Sequence, residues 1–220
     1  MSGDAAHHLG RVLRAEAGQL YELSDGERVW LGRVEEVGRD HVEFALVEPI
    51  ACNEPRLATT LLLAVVKFDS FEWAIEKATE LGVRTIVPVA AARSEKALLQ
   101  AAEKRSERWK KILLEASQQS RRVRIPELRG VEKPSSAFSS AIGFRVMLSE
   151  RAEAIPLKRA IPGEGATEAT LAIGPEGGWT DEEFTAAEAA GFRQASLGSL
   201  ILRTETAVAA ALASLNYALG

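Results

Sequence analysis

The chain has 220 residues, 46% of them apolar, which suits a globular protein that buries its own core and argues against disorder. No apolar run approaches the roughly 18–20 residues of a membrane span, and no basic segment leads into an apolar one at the N-terminus, so a cytoplasmic protein without a membrane partner is expected. The single cysteine, Cys52, cannot form an internal disulfide and has no neighbour at metal-ligand spacing, and a net charge of −4 gives no general attraction for nucleic acid.

In chain order, Gln19 to Leu23, Arg28 to Val37 and His41 to Val47 read as strands, separated by turns at Ser24-Asp25-Gly26 and Gly38-Arg39-Asp40. Val42, Phe44 and Leu46 alternate with His41, Glu43 and Ala45, as a buried and a wetter face would, which predicts a small barrel or meander. The pattern breaks at Asn53-Glu54-Pro55, where a linker is expected, so the chain divides into a first domain over 1–56 and a second over 57–220.

From Leu61 strands alternate with helices, the texture of an α/β domain. Leu61 to Val66 reads as a buried strand. Asp69 with Glu72 fits a capping box, and Phe71, Ile75, Ala78 and Leu81 recur at helical spacing until Gly82 closes the helix. Thr85 to Val89 is the next strand, and Trp109, Ile112, Leu113 and Ala116 mark one face of a second long helix. Around that helix, between Lys104 and Arg129, nine basic residues face three acidic ones, whereas Glu150 to Glu188 holds nine acidic and three basic. Such polarisation fits either a phosphate-binding footprint or a solvated helix face.

After a Pro- and Ser-containing stretch, Lys133 to Ala141, strands are expected at Phe144 to Leu148 and Thr170 to Ile173. Thr180 with Glu183 gives another capping box, for a helix over Asp181 to Ala190 with Gly191 beyond its end. Ala195 to Leu197 is a short strand, and Thr204 to Leu219 is an apolar helix buried on most of its surface.

Two segments carry chemistry. Ile173-Gly174-Pro175-Glu176-Gly177-Gly178-Trp179-Thr180 runs from a strand through three glycines in five positions into a capped helix. A tight turn needs one such glycine or two, so a loop that cradles a ligand is favoured. It is neither a P-loop nor the dinucleotide fingerprint, lacking both the Lys-Ser/Thr pair and the spacing. In the second segment, Leu197-Gly198-Ser199-Leu200-Ile201-Leu202-Arg203-Thr204-Glu205-Thr206, a strand again meets a glycine and a helix start. Arg203 and Glu205 enter an apolar helix there and need each other or a polar ligand as partner. All three histidines, His7, His8 and His41, lie in the β-rich part, and no hydrolytic triad or zinc pattern exists, so no metal is expected.

These residues are similar to a known family. The run Phe71 to Val83, then Arg93-Ser94, then Trp109-Lys110-Lys111-Ile112 with Glu115-Ala116, Gln119 and Arg122, then Ile125-Pro126, resembles the RsmE family of ribosomal RNA methyltransferases. Ile173 to Gly178 matches that family's I-G-P-E-G-G signature, and Leu197-Gly198 with Ile201 to Ala207 matches its L-G-x-x-I-L-R-T-E-T-A signature. The opening, His7-His8-Leu9 with Arg11-Val12-Leu13-Arg14, is also similar, and the likeness covers nearly the whole chain.

The resemblance implies a PUA-like β-barrel followed by an α/β SPOUT domain with a C-terminal trefoil knot, acting as a homodimer. It implies S-adenosylmethionine as cofactor, held by Leu148, Ile173, Gly174, Pro175, Glu176, Gly177, Gly178, Leu197, Gly198, Ile201, Leu202 and Arg203. It further implies methylation of N3 of a uridine in 16S small-subunit ribosomal RNA, with Arg203 and Glu205 as catalytic candidates and Arg11, Arg14, Arg93, Arg121 and Arg122 meeting RNA. The partner would be ribosomal RNA or the small ribosomal subunit. The chain departs from the family in reaching His7 early, so a barrel shortened at its N-terminus is expected, and in carrying Gln118 for Glu and Arg121 for Gly. Rival readings are a SPOUT methyltransferase of another RNA, and a non-catalytic RNA-binding assembly factor.

Overall fold

The computed structural model of the protein describes residues 1–51, 55–163 and 165–219. Cys52 and the linker positions Asn53 and Glu54 lie outside the described residues. The chain falls into two units, Met1–Glu54 and Pro55–Gly220.

In the first unit a helical turn, α1 (Asp4–His7), runs into a wider π-helical segment, His8–Val12. Strands β1 (Leu20–Ser24), β2 (Val29–Val37) and β3 (Val42–Ile50) then form an antiparallel meander in the order β1-β2-β3. The Asp25 carboxylate makes the first turn by accepting from the backbone N–H of Glu27 at 2.8 Å and of Arg28 at 2.7 Å. Ala6, Val34 and Val42 form the small core, with Tyr21 and Phe44 packed edge to face beside it. The alternation expected along β3 holds for Val42 and Phe44 and fails at Leu46, which is 58% exposed. There the register of β2 against β3 shifts, and Leu46 stands opposite Gly32, which offers no side chain to cover it.

The second unit is an α/β domain. Its elements are β4 (Ala58–Ala64), α2 (Phe68–Glu80), β5 (Thr85–Val89), α3 (Lys96–Gln119), β6 (Glu127–Leu128), α4 (Pro134–Ser139) and β7 (Phe144–Leu148), then β8 (Ile155–Pro156), α5 (Leu157–Ala160), β9 (Glu168–Ile173), α6 (Asp181–Ala189), β10 (Arg193–Ser196) and α7 (Thr204–Leu219). Among the described residues seven parallel strands lie in the order β6-β5-β4-β9-β7-β10-β8.

The continuous apolar run in β4 follows from burial on both faces. Leu61 and Leu63 point to one face, where Phe71 and Ile75 of α2, Trp109 and Leu113 of α3, and Val208 and Leu212 of α7 pack. Leu62 and Ala64 point to the other, against Phe138 of α4, Trp179, Phe184 of α6 and Phe192. Trp109 is thus a core residue, 2% exposed, with its ring 4.4 Å from that of Phe71.

Two helix signals have different outcomes. The Thr180–Glu183 capping box forms with both reciprocal bonds. The one expected at Asp69 and Glu72 does not, because α2 starts at Phe68 with Lys67 before it and no side-chain cap. Glu72 is instead buried against α3, where it accepts from Arg108 Nε at 2.7 Å and Arg105 Nη1 at 3.4 Å. Gly82, at φ +86°, closes α2 as expected, with the Val83 N–H donating back to the Ala78 carbonyl. The Pro- and Ser-containing stretch folds as α4, with Pro134 in its first turn, where a missing N–H costs nothing.

Candidate functional site

Strands β9, β7 and β10 are parallel neighbours, so their carboxyl ends open on one edge of the sheet, the edge where ligands bind in parallel α/β folds. Three loops leave that edge: one after Leu148, one after Ile173 and one after Ser196. Together they line a cavity of about 520 Å³, a size typical of small-molecule sites. Leu148, Ile173, Gly174, Pro175, Glu176, Gly177, Gly178, Leu197, Gly198, Ile201, Leu202 and Arg203, the residues nominated from the sequence for cofactor contact, all line it.

The glycine-rich loop is tightly built. Gly178, at φ +69°, ends a turn in which its N–H donates to the Pro175 carbonyl at 2.8 Å. Gly174 lies under the Trp179 ring, and a Cβ there would sit 3.0 Å from the indole Nε1. The Thr204 hydroxyl, at the start of α7, donates to the Gly174 carbonyl at 3.0 Å and ties the second Gly-bearing segment to the first. The Trp179 Nε1–H is buried in the cavity wall with no hydrogen-bond partner, which is the kind of group a bound ligand satisfies. The Ser149 N–H donates to the Ala195 carbonyl, which continues the pairing of β7 with β10 to the cavity rim.

The cavity mixes apolar walls with charges of both signs. Leu148, Ile173, Leu197 and Leu202 are the apolar part, and Glu150, Glu176, Arg93, Arg151 and Arg203 the charged part. Sequence reasoning missed Arg151, whose guanidinium pairs with Asp181 and lies 3.8 Å from the centre of the Phe184 ring. Arg203 is exposed, whereas Glu205, in the first turn of α7, has its Oε2 buried without a partner. Among the described residues no ion pair joins Arg203 to Glu205.

The arginines expected to meet RNA are divided between the two units. Arg11 and Arg14 are exposed in the first unit, Arg14 at φ +52°. Arg121 is exposed just past α3 at φ +54°, a left-handed position where glycine is at ease. Arg122 is half-buried, and its Nη1 donates to the carbonyls of Thr79 at 2.9 Å and Val83 at 2.8 Å, at the end of α2. Arg93 donates to carbonyls of the glycine-rich loop. The basic excess around α3 is also largely paired: Arg105 and Arg108 with Glu72, Lys110 with Glu107, Lys111 with Glu115, and Arg129 with Glu127.

Comparison with known proteins gives concordant matches. A family model for an RNA methyltransferase domain matches residues 53–216, and one for an RNA methyltransferase PUA domain matches residues 2–47. A protein from Synechocystis, named ribosomal RNA small subunit methyltransferase E, is 35% identical, over 96% of this chain and 70% of that one. Its namesake in Bacillus subtilis is 31% identical, over 99% and 89%. Among solved structures, a ribosomal RNA small subunit methyltransferase E from Neisseria gonorrhoeae bound to S-adenosyl methionine superposes with a TM-score of 0.91 at 29% identity, covering all of this chain and 91% of the other. A Legionella pneumophila putative methyltransferase in complex with the same cofactor gives 0.87 at 32% identity, with the same coverages.

Proposed function

The chain belongs to the ribosomal RNA small subunit methyltransferase E family, and from that membership and the geometry of its cavity we propose that it methylates N3 of a uridine in 16S small-subunit ribosomal RNA, using S-adenosylmethionine. The observation that carries this reading is the convergence of three loops, two of them with the family's signatures, on one cavity at the carboxyl edge of the sheet. The fold we assign is a SPOUT domain whose C-terminal segment is threaded as a trefoil knot, preceded by a PUA-like domain. The insertion of β9 between β4 and β7 and the PUA-domain match at residues 2–47 support it.

The residues present suit the cofactor. The apolar walls accept a flat adenine, the unpartnered Trp179 Nε1–H offers a donor, and Glu150 and Glu176 give negative charge to a ligand with an ammonium and a sulfonium. Bound there, S-adenosylmethionine supplies an electrophilic methyl group, so no metal is required. The protein must hold the uridine N3 in line with that methyl and stabilise the negative charge that forms as the N3 proton leaves. Arg203, exposed at the rim of the cavity, supplies the positive charge. Glu205, two residues on, has a buried Oε2 without a partner and no ion pair to Arg203, and is the candidate acceptor of the proton. Arg11, Arg14 and Arg121, exposed, position RNA by phosphate contacts.

We assign a homodimer in the cytoplasm as the working form. Leu200 and Ile201, 81% and 76% exposed on a loop of the cavity, and Tyr217, 93% exposed on α7, are large apolar groups that a second copy would cover. No helix among the described residues is long and apolar enough to cross a membrane.

The test is incubation of unmethylated small subunits with the protein and S-adenosylmethionine, followed by mass spectrometry of the RNA. N3-methyluridine at one position is expected. Methylation elsewhere would favour a different RNA substrate, and RNA binding without cofactor binding would favour the assembly factor. Arg203→Ala should lower kcat by roughly 10²-fold, the usual cost of removing a group that stabilises developing charge. An unchanged kcat would remove Arg203 from the mechanism.

A further inference from the structure

We propose that Arg93 is a positioning residue for the cofactor loop: it clamps Gly177 and Trp179 and holds the glycine-rich segment in its ligand-ready shape, instead of meeting RNA. The proposal rests on the reading of the cavity as the cofactor site. Arg93 lies on the loop that follows β5, two strands away from β9 in the sheet, and its side chain crosses to the glycine-rich loop. A single nitrogen, Nη1, donates to the Gly177 carbonyl at 2.6 Å and to the Trp179 carbonyl at 3.3 Å. These carbonyls flank Gly178, the residue at positive φ, so the charged donor bridges the part of the loop whose backbone is most particular.

The two loops are fitted to each other. A Cβ at Gly177 would lie 3.3 Å from Arg93 Cδ and 3.4 Å from its Cβ, so the second glycine of the loop leaves room for the arginine stem as well as for a ligand. One residue before, the Ala92 N–H donates to Glu183 Oε1 at 2.8 Å. The other oxygen of that buried carboxylate accepts from the Thr180 N–H within the capping box. Glu183 thereby fixes the backbone on either side of the contact, and the turn from Ala91 to Ser94, closed by the Ser94 N–H on the Ala91 carbonyl at 3.0 Å, presents Arg93 outward. A loop held in its bound conformation before the ligand arrives loses less freedom on binding, so the clamp acts on affinity.

Three versions of the full-length protein test this: wild type, Arg93→Ala and Arg93→Lys, the last keeping a charged donor but without the planar fork. Amide hydrogen exchange of the ligand-free protein should show faster exchange over residues 174–180 in Arg93→Ala, with Arg93→Lys between the two. Calorimetric titration should show S-adenosylmethionine bound roughly tenfold more weakly by Arg93→Ala, the scale of one lost charge-assisted hydrogen bond, with partial recovery in Arg93→Lys. Affinity for small-subunit RNA should stay the same in all three. In a Gly177→Ala background the further loss on Arg93→Ala should shrink, because the stem and the new methyl compete for one space.

Unchanged exchange over 174–180 in Arg93→Ala would overturn the proposal, and so would loss of RNA affinity with cofactor affinity intact. Absence of cofactor binding by the wild type would instead refute the reading of the cavity, and the exchange result would still decide whether the clamp exists. Should Arg93→Ala fail to fold, the comparison of Arg93→Lys with wild type carries the same readouts.

Discussion

Some arginines in this protein face water, some pair with carboxylates and some hold the backbone in place. Arg122 is of the kind that holds the backbone, with Nη1 shared between the last turn of α2 and the residue beyond its glycine stop. Hydrogen bonds from a charged donor to carbonyls at and just beyond a helix end contribute more than neutral ones, so Arg122→Ala should cost about 2 kcal/mol, read by urea denaturation. A change below the measurement error would free Arg122 for a surface role. Asp25 makes a pH-dependent contribution of the opposite charge. Its carboxyl is held below the ordinary 3.8, first by the Arg28 N–H and then by the Glu27 N–H. Its stabilisation is therefore complete above 3.8 and is lost as pH falls through the lower, folded-state value. Asp25→Asn keeps an acceptor in the turn but does not titrate, so its acid-unfolding curve should be flatter than that of the wild type in that window.

At the scale of elements, the meeting of β7 with β9 depends on one residue without a side chain. Gly143 precedes β7 at φ +65°, and a Cβ there would lie 2.0 Å from the Glu168 carbonyl oxygen at the start of β9. Gly143→Ala should therefore destabilise the second unit by at least about 3 kcal/mol, since both backbone strain and a backbone clash must be relieved. Thermal unfolding at an unchanged midpoint would show that the strand starts can separate without cost. Glycines of this kind are hard to weigh from sequence alone. Gly143 lies outside both signature segments, and only the pairing of Phe144 with Ala169 brings the Glu168 carbonyl beside it. Local signals had mixed value for the same reason. Thr180 and Glu183 form their box because nothing nearby competes for the carboxylate except one more N–H, from Ala92. Asp69 and Glu72 have equivalent spacing, but two arginines on α3 offer Glu72 charged partners, and tertiary contact overrides the local motif.

For the whole molecule, the alternation of strands and helices and the two glycine-bearing loops were legible, because period and glycine spacing are local properties of a chain. The order of strands was not. Nothing local states that β9 pairs with β4 on one side and β7 on the other, and that placement is what brings the loops after Leu148, Ile173 and Ser196 to one edge. The crossing of Arg93 to Gly177 was equally hidden, since 84 residues separate its ends. The cavity lies wholly within Pro55–Gly220, which makes a further expectation specific. At a hundredfold excess over its Kd, S-adenosylmethionine should stabilise that unit by about 2.7 kcal/mol. Hydrogen exchange should slow in residues 148–154, 174–180 and 197–204 and stay unchanged in β1 to β3; uniform slowing through both units would place the ligand's effect elsewhere.

The position of β9 also governs how the chain comes into being. Ala58 pairs with Glu168 and Leu63 with Ile173, so the centre of the sheet joins segments made far apart in time during translation. When β4, α2, β5 and α3 have left the ribosome, β4 has its partner β5 on one side, while its other edge awaits a strand not yet synthesised. Pairings between distant segments are slow to form, and an apolar strand with an unpaired edge invites association with other chains. The nascent protein therefore passes through a stage at which an apolar strand of its core is its most adhesive surface, and the second half of the domain must arrive to cover it.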